Sequence, residues 1–276
     1  MRSAPRVCSA ATDRRRLLRF VAVLAWLILA GTGVALAQDR DTRAERQEVI
    51  RLLGQLPDIA PIREDLRLLG FRGDNLDLAV TQAELLYRDP VIAGYVADQV
   101  IAAFEDPTAV RVSDGLMWPL IERGLGHLPT RDLKFYYTVE RKIMETLTIR
   151  QCGMAVSNRM RPARFAELTS RVAARLNTDA LEKYYRIQAQ AARIGARRQP
   201  VRLSEVAARR VEERLQASMT RSIMATDRAG DLMQAMINLD QASTTEACAI
   251  GRLFMNTVLQ FEGRALSDTL VYMSRP

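Results

Sequence analysis

The chain has little of what most enzymes use. Its 276 residues include one histidine, His127, and three cysteines, Cys8, Cys152 and Cys248. With a single imidazole and no C-x-x-C pair, a metal centre of these ligands is disfavoured. The G-x-S-x-G elbow, the H-E-x-x-H helix, the Walker loop and the G-x-G-x-x-G turn are all missing. Any Ser/His/acid arrangement would rest on His127 alone, which follows Gly126 and precedes Pro129, as a surface or capping histidine in a turn does. No cofactor motif is present, so none is expected. Lysine is scarce, with Lys134, Lys142 and Lys183 as the only three, an arginine bias that points to genomic base composition. Alternating β-branched runs are also absent, which argues against a sheet.

What is present begins at the N-terminus. Arg14, Arg15, Arg16 and Arg19 precede the apolar run Phe20 to Leu29, and Ala35-Leu36-Ala37 stands ahead of Gln38. That is the order of a bacterial secretory signal: basic region, short apolar region, A-x-A cleavage site. Residues 1–37 are expected to be removed, leaving 38–276 as a helical domain in the periplasm or outside the cell, with no stable membrane insertion. Leu17 to Ala37 is long enough for an uncleaved anchor, but its strongly apolar part is shorter. Arg14-Arg15-Arg16 with Leu17-Leu18 loosely resembles a twin-arginine signal, although the general pathway suits a chain without a cofactor.

The net charge of +8 is largely carried by this segment; the mature chain has 34 basic and 31 acidic groups, and nucleic acid is not an expected partner. The rest is unevenly placed. Residues 38–149 carry net −5, residues 150–228 net +10 and residues 229–276 net −2. Cys152 and Cys248 survive processing, and an even pair in an oxidising compartment predicts a disulfide.

The mature chain predicts an all-α fold, a helical bundle or short array of αα-hairpins with about nine or ten helices. Thr42 to Glu45 reads as a capping box, and Asp74, Ser113 or Asp114, and Ser204 as further caps. Gly70 stops one helix, Asp89-Pro90 and Arg161-Pro162 start others, and Ser243 to Glu246 forms another box. One long helix is expected from Thr130 to near Asn158, with Cys152 facing outward near its end; Gly195 to Pro200 reads as a loop. LPTRDLKFYYTVE (128–140) aligns with LNTDALEKYYRIQ (176–188) at an offset of 48, pairing Leu133 with Leu181 and Tyr136-Tyr137 with Tyr184-Tyr185. Thr130 and Thr178 stand where N-caps belong. This spacing predicts a duplicated αα-hairpin over about 113–195.

Two chemical readings follow. Glu140 and Glu145, five residues apart on a helix, diverge by about 140° and are expected to be solvated rather than to work as a pair. The tyrosine pairs could line a groove for sugars or peptides, but helical spacing favours core packing. Leu147-Thr148-Ile149-Arg150-Gln151 is similar to the L-T-x-x-Q string of small helical periplasmic stress chaperones. Over about residues 160–215, Leu176 to Leu181, Tyr184-Tyr185, Gly195 and Pro200 resemble a family of secreted helical bacterial proteins of unknown function. Here Tyr-Tyr stands for the family's Phe-Tyr, and its S-P-x-G turn is missing. The resemblance implies a location and a fold, not an activity.

The expected function is therefore non-catalytic: an exported helical protein that binds an acidic protein or anionic envelope component. The candidate surface is Arg193, Arg197, Arg198, Arg202, Arg209 and Arg210, whose guanidinium forks suit carboxylates and phosphates. The alternatives are a cell-envelope hydrolase with dispersed carboxylates and a carrier of an apolar ligand, which eleven methionines permit. A groove holding a carboxyl of raised pKa favours the hydrolase; an exposed basic face favours the binder.

Overall fold

A computed structural model describes residues 38–58, 60–105 and 117–275; the export signal expected over 1–37 and the start expected at Ser113 or Asp114 lie outside them. The chain divides into two units, Met1–Glu45 and Arg46–Pro276. In the first, the described residues 38–45 are helical. Among the described residues there are thirteen α-helices, one 3-10 turn and no strand. They are α1 (Gln38–Gln55), α2 (Ala60–Leu68), α3 (Gly73–Arg88), α4 (Pro90–Glu105), α5 (Trp118–Leu125), α6 (Thr130–Thr146) and α7 (Ile149–Val156). After these come α8 (Pro162–Ala173), α9 (Thr178–Gly195), α10 (Glu205–Met224), α11 (Ala229–Ile237), α12 (Thr244–Leu259) and α13 (Gly263–Met273).

The helix count exceeds the expectation of nine or ten, and one of the additional helices has a local cause. The helix expected to run unbroken from Thr130 stops at Thr146, and the L-T-x-x-Q string restarts it. Thr148 Oγ1 accepts from the Gln151 N–H at 3.3 Å and Gln151 Oε1 accepts from the Thr148 N–H at 3.2 Å, a reciprocal capping box. The orphan carbonyls at the end of α6 are met by Arg252, whose Nη2 donates to Glu145 and Leu147 oxygens at 3.1 Å each. The redirected α7 turns Cys152 inward, correcting its outward placement: Cys152 is fully buried and bonded to Cys248 on α12, with Cα atoms 5.1 Å apart. Asn158, with φ of 53°, ends this segment where the sequence indicated.

Other caps hold. Ser204 accepts from the Ala207 N–H, Ser243 and Glu246 form their box, and Asp89 Oδ1 accepts from Val91 and Ile92 N–H at 2.9 and 3.0 Å. Some were misplaced. α1 is already helical at Gln38, which puts Thr42 inside it, and α3 starts at Gly73 after Arg72, which puts Asp74 in its first turn. Thr130 and Thr178 are first helical residues rather than caps; Pro129 and Asn177 precede them, and Asn177 Oδ1 accepts from the Ala180 N–H at 2.8 Å.

The main core joins α4, α5, α6, α8, α9, α12 and α13. Its closest approach is the crossing of α5 and α9. A Cβ built on Gly124 would lie 1.8 Å from the Ala191 oxygen, and one on Gly195 would lie 2.0 Å from the Leu120 oxygen. Only glycine lets the two backbones meet there, so Gly195 is a packing residue at the end of α9 and the loop begins after it. Positions related by the 48-residue offset share burial: Leu120 and Leu168, Leu133 and Leu181, Tyr136 and Tyr184, Val139 and Ile187 are all buried.

Candidate functional site

The six arginines separate into two groups. Arg193, in the last turn of α9, pairs with Asp89, whose carboxylate also caps α4. Burial alone would raise the Asp89 carboxyl, but bonds from the Ile92 N–H and the Arg193 guanidinium outweigh it and hold the pKa below its usual value. The stability this contributes is present above the ordinary carboxyl range and is lost as pH falls through the lowered pKa. Arg193 therefore has a structural partner. Arg209 faces Glu205 one turn earlier on α10 at 3.6 Å, an exposed pair worth about 0.3–0.5 kcal/mol at most.

Arg197, Arg198, Arg202 and Arg210 are exposed and, among the described residues, form no ion pair within 4.0 Å. Their backbone is fixed all the same. The N–H groups of Arg197 and Arg198 bond the Ile194 oxygen at 3.0 and 2.8 Å, closing α9. His127 donates from Nε2 to the Gln199 oxygen at 2.9 Å, tying the arginine loop to the α5–α6 turn. The lone histidine is a structural fastener, in keeping with its turn context.

The second feature carries no signature in the sequence. A cavity of about 210 Å³ lies between α5, α6 and α8, with Trp118, Glu122, Tyr136, Tyr137, Glu140 and Phe165 in its wall. Trp118 Nε1 donates to Glu122 Oε1 at 2.7 Å, a contact set by their i,i+4 spacing on α5. The Tyr184 hydroxyl donates to Glu140 Oε1 at 2.6 Å, and the Tyr136 hydroxyl supports the same carboxylate. The Tyr136 and Tyr184 rings stack with centroids 5.5 Å apart and planes at 17°, while Tyr137 meets Tyr136 edge-on at 5.4 Å. Tyr136, Tyr137 and Tyr184 are buried, as core packing requires, yet the first two also face the cavity.

Glu140 corrects the expectation of a solvated charge. It is half-buried in this wall, whereas Glu145 is exposed beside Arg141 at 3.5 Å and Lys142 at 3.8 Å, as expected. The angle between the two glutamates showed that they diverge, not which of them faces inward. Burial raises the Glu140 carboxyl pKa against the opposing bonds from Tyr184 and Tyr136, and raises that of Glu122 against the bond from Trp118. Ionising either group opposes folding: the stability involved is full below the ordinary carboxyl pKa and is lost as pH rises through the raised one. Among the described residues no cluster of ligands fit for a metal ion occurs. No family model, curated protein or solved structure matches this chain.

Proposed function

We propose that this chain is an exported, all-α binding protein that holds an acidic protein or anionic envelope component against Arg197, Arg198, Arg202 and Arg210. The observation that carries the reading is a set of exposed guanidinium groups that form no ion pair among the described residues, three on the loop fastened by His127 and the end of α9 and one, Arg210, on α10. Arginine is costly to order, and a fixed backbone reduces what binding must still immobilise. The disulfide suits an oxidising compartment, and no described helix is long and apolar enough to cross a membrane.

An envelope hydrolase is the second reading, favoured by Glu122 and Glu140 with raised pKa values in an aromatic cavity. Both carboxylates, however, accept bonds from ring donors, which suits fixed acceptors better than a group that must deliver a proton to a leaving oxygen. Binding fits that wall better than hydrolysis. A photo-crosslinking residue in place of exposed Gln199 tests the arginine surface in intact cells. It should yield a covalent adduct with an acidic partner, and the adduct should disappear when Arg197 and Arg198 are changed to Glu. Failure to form any adduct, or an adduct indifferent to those changes, contradicts the proposal.

A further inference from the structure

The cavity around Glu140 has a counterpart. A second cavity, of about 370 Å³, lies on the other side of Trp118 and Phe165, which line both. Its wall contains the residues that the 48-residue offset pairs with the first. Tyr136, Tyr137 and Leu125 correspond to Tyr184, Tyr185 and Ala173. Glu122 corresponds to Ser170 and Glu140 to Gln188. Two cavities built on the same helical positions thus differ in charge: one carries two carboxylates where the other carries a hydroxyl and an amide.

That contrast is chemical evidence about the first cavity. A buried carboxylate is costly, and Ser and Gln show that the same positions can be filled by neutral groups. The titratable groups facing the acidic cavity are Glu122, Glu140, Tyr136, Tyr137 and Arg275, and Tyr184 reaches Glu140 from α9. Burial pushes all three tyrosine hydroxyls upward, so they stay neutral. Arg275 stacks on the Tyr272 ring with its guanidinium carbon 4.5 Å from the centroid. Among the described residues Glu122 and Glu140 accept bonds from neutral donors and form no ion pair, so an ionised carboxylate there has no counter-ion, among aromatic faces that attract cations.

We propose that this cavity binds a small organic monocation, an alkylammonium whose charge meets Glu122 and Glu140 and whose apolar body lies against Trp118, Tyr136 and Phe165. The second cavity, lacking the carboxylates, takes no such cation. This site is separate from the arginine surface and stands whether or not that surface binds anything. An ammonium group would also favour the ionised carboxylates against their burial, so affinity falls as pH drops into their raised range.

Calorimetric titration of the mature protein with butylammonium, and with butanol as its neutral counterpart, tests the idea at about pH 7.5 and about pH 5. Butylammonium should bind about tenfold or more tightly than butanol at the higher pH and should weaken at the lower. Combining Glu122→Ser with Glu140→Gln copies the second cavity and should weaken butylammonium binding about tenfold or more. The same variant should unfold at a higher temperature near neutral pH without ligand, because two buried charges are gone. Equal affinity for butanol, affinity indifferent to pH, or undiminished binding by the double variant overturns the proposal. If that variant does not fold, the wild-type comparison of butylammonium with butanol decides.

Discussion

Replacing Cys152 with Ser should lower stability under oxidising conditions by roughly 4–5 kcal/mol, because the bond closes a loop spanning a separation of 96 residues. At about 2–4 °C per kcal/mol for a domain of this size, the unfolding temperature should fall by roughly 8–20 °C. The position adds to the effect. Cys152 and Cys248 are 0% and 2% exposed and pack with Leu147 and Leu168, so a serine hydroxyl there is buried among apolar side chains. The bond also fixes a close approach, since a Cβ on neighbouring Gly153 would lie 2.0 Å from the Thr244 oxygen at the start of α12. Thermal unfolding of wild type and variant, with and without reductant, measures this. The curves should separate widely under oxidising conditions and draw together under reductant. Two alkylatable thiols in exported wild-type protein would contradict the account.

Gly124→Ala should be nearly as damaging, against the intrinsic preference of a helix. In an open helix the change gains about 1 kcal/mol. At Gly124 the new methyl meets the Ala191 carbonyl at 1.8 Å, and Gly195→Ala meets the Leu120 carbonyl at 2.0 Å, so neither clash can be relieved by turning a side chain. Overpacking usually costs about 1–3 kcal/mol, and backbone against backbone belongs at or above the upper end. Gly230→Ala, with nothing within 4 Å, is the control and should be neutral or slightly stabilising. The crossing also positions the acidic cavity: α5 carries Trp118 and Glu122, and α9 carries Tyr184, the donor to Glu140. Chemical denaturation of the three variants tests this, and a Gly124→Ala protein as stable as wild type would contradict it.

What could be read from the sequence was local or periodic. The caps at Ser204 and Ser243, the Asp89-Pro90 start and the inward tyrosines follow from one helical turn of chain. The cysteine pairing follows from parity and the compartment the sequence leads one to expect. The misses have equally specific causes. Thr148 and Gln151 have the spacing of a capping box, but inside an unbroken apolar period that spacing does not by itself mark a helix start. Gly195 reads as the start of a loop and Gly124 carries no signal at all, because a crossing of two backbones leaves no trace in the periodicity of either helix. Glu122 was within reach of i,i+4 reasoning through Trp118. The burial of Glu140 was not, because it depends on Tyr184, 44 residues away. The 48-residue offset pairs residues in the walls of two cavities as well as two tyrosine pairs.

The most direct test of the binding account is capture from periplasmic extract by the mature protein and by a variant with Arg197, Arg198 and Arg202 all changed to Glu. Exposed substitutions of this kind usually change stability by within about 0.5 kcal/mol each, so the variant should unfold nearly as the wild type does. Wild type should retain an acidic partner at about 0.1 M salt and release it at about 1 M, as the screening length shrinks from about 10 Å to about 3 Å. The variant should retain none at either. Equal capture by both proteins, or capture insensitive to salt, would contradict the account, and unfolding of the variant would show that these arginines serve the fold instead of a partner.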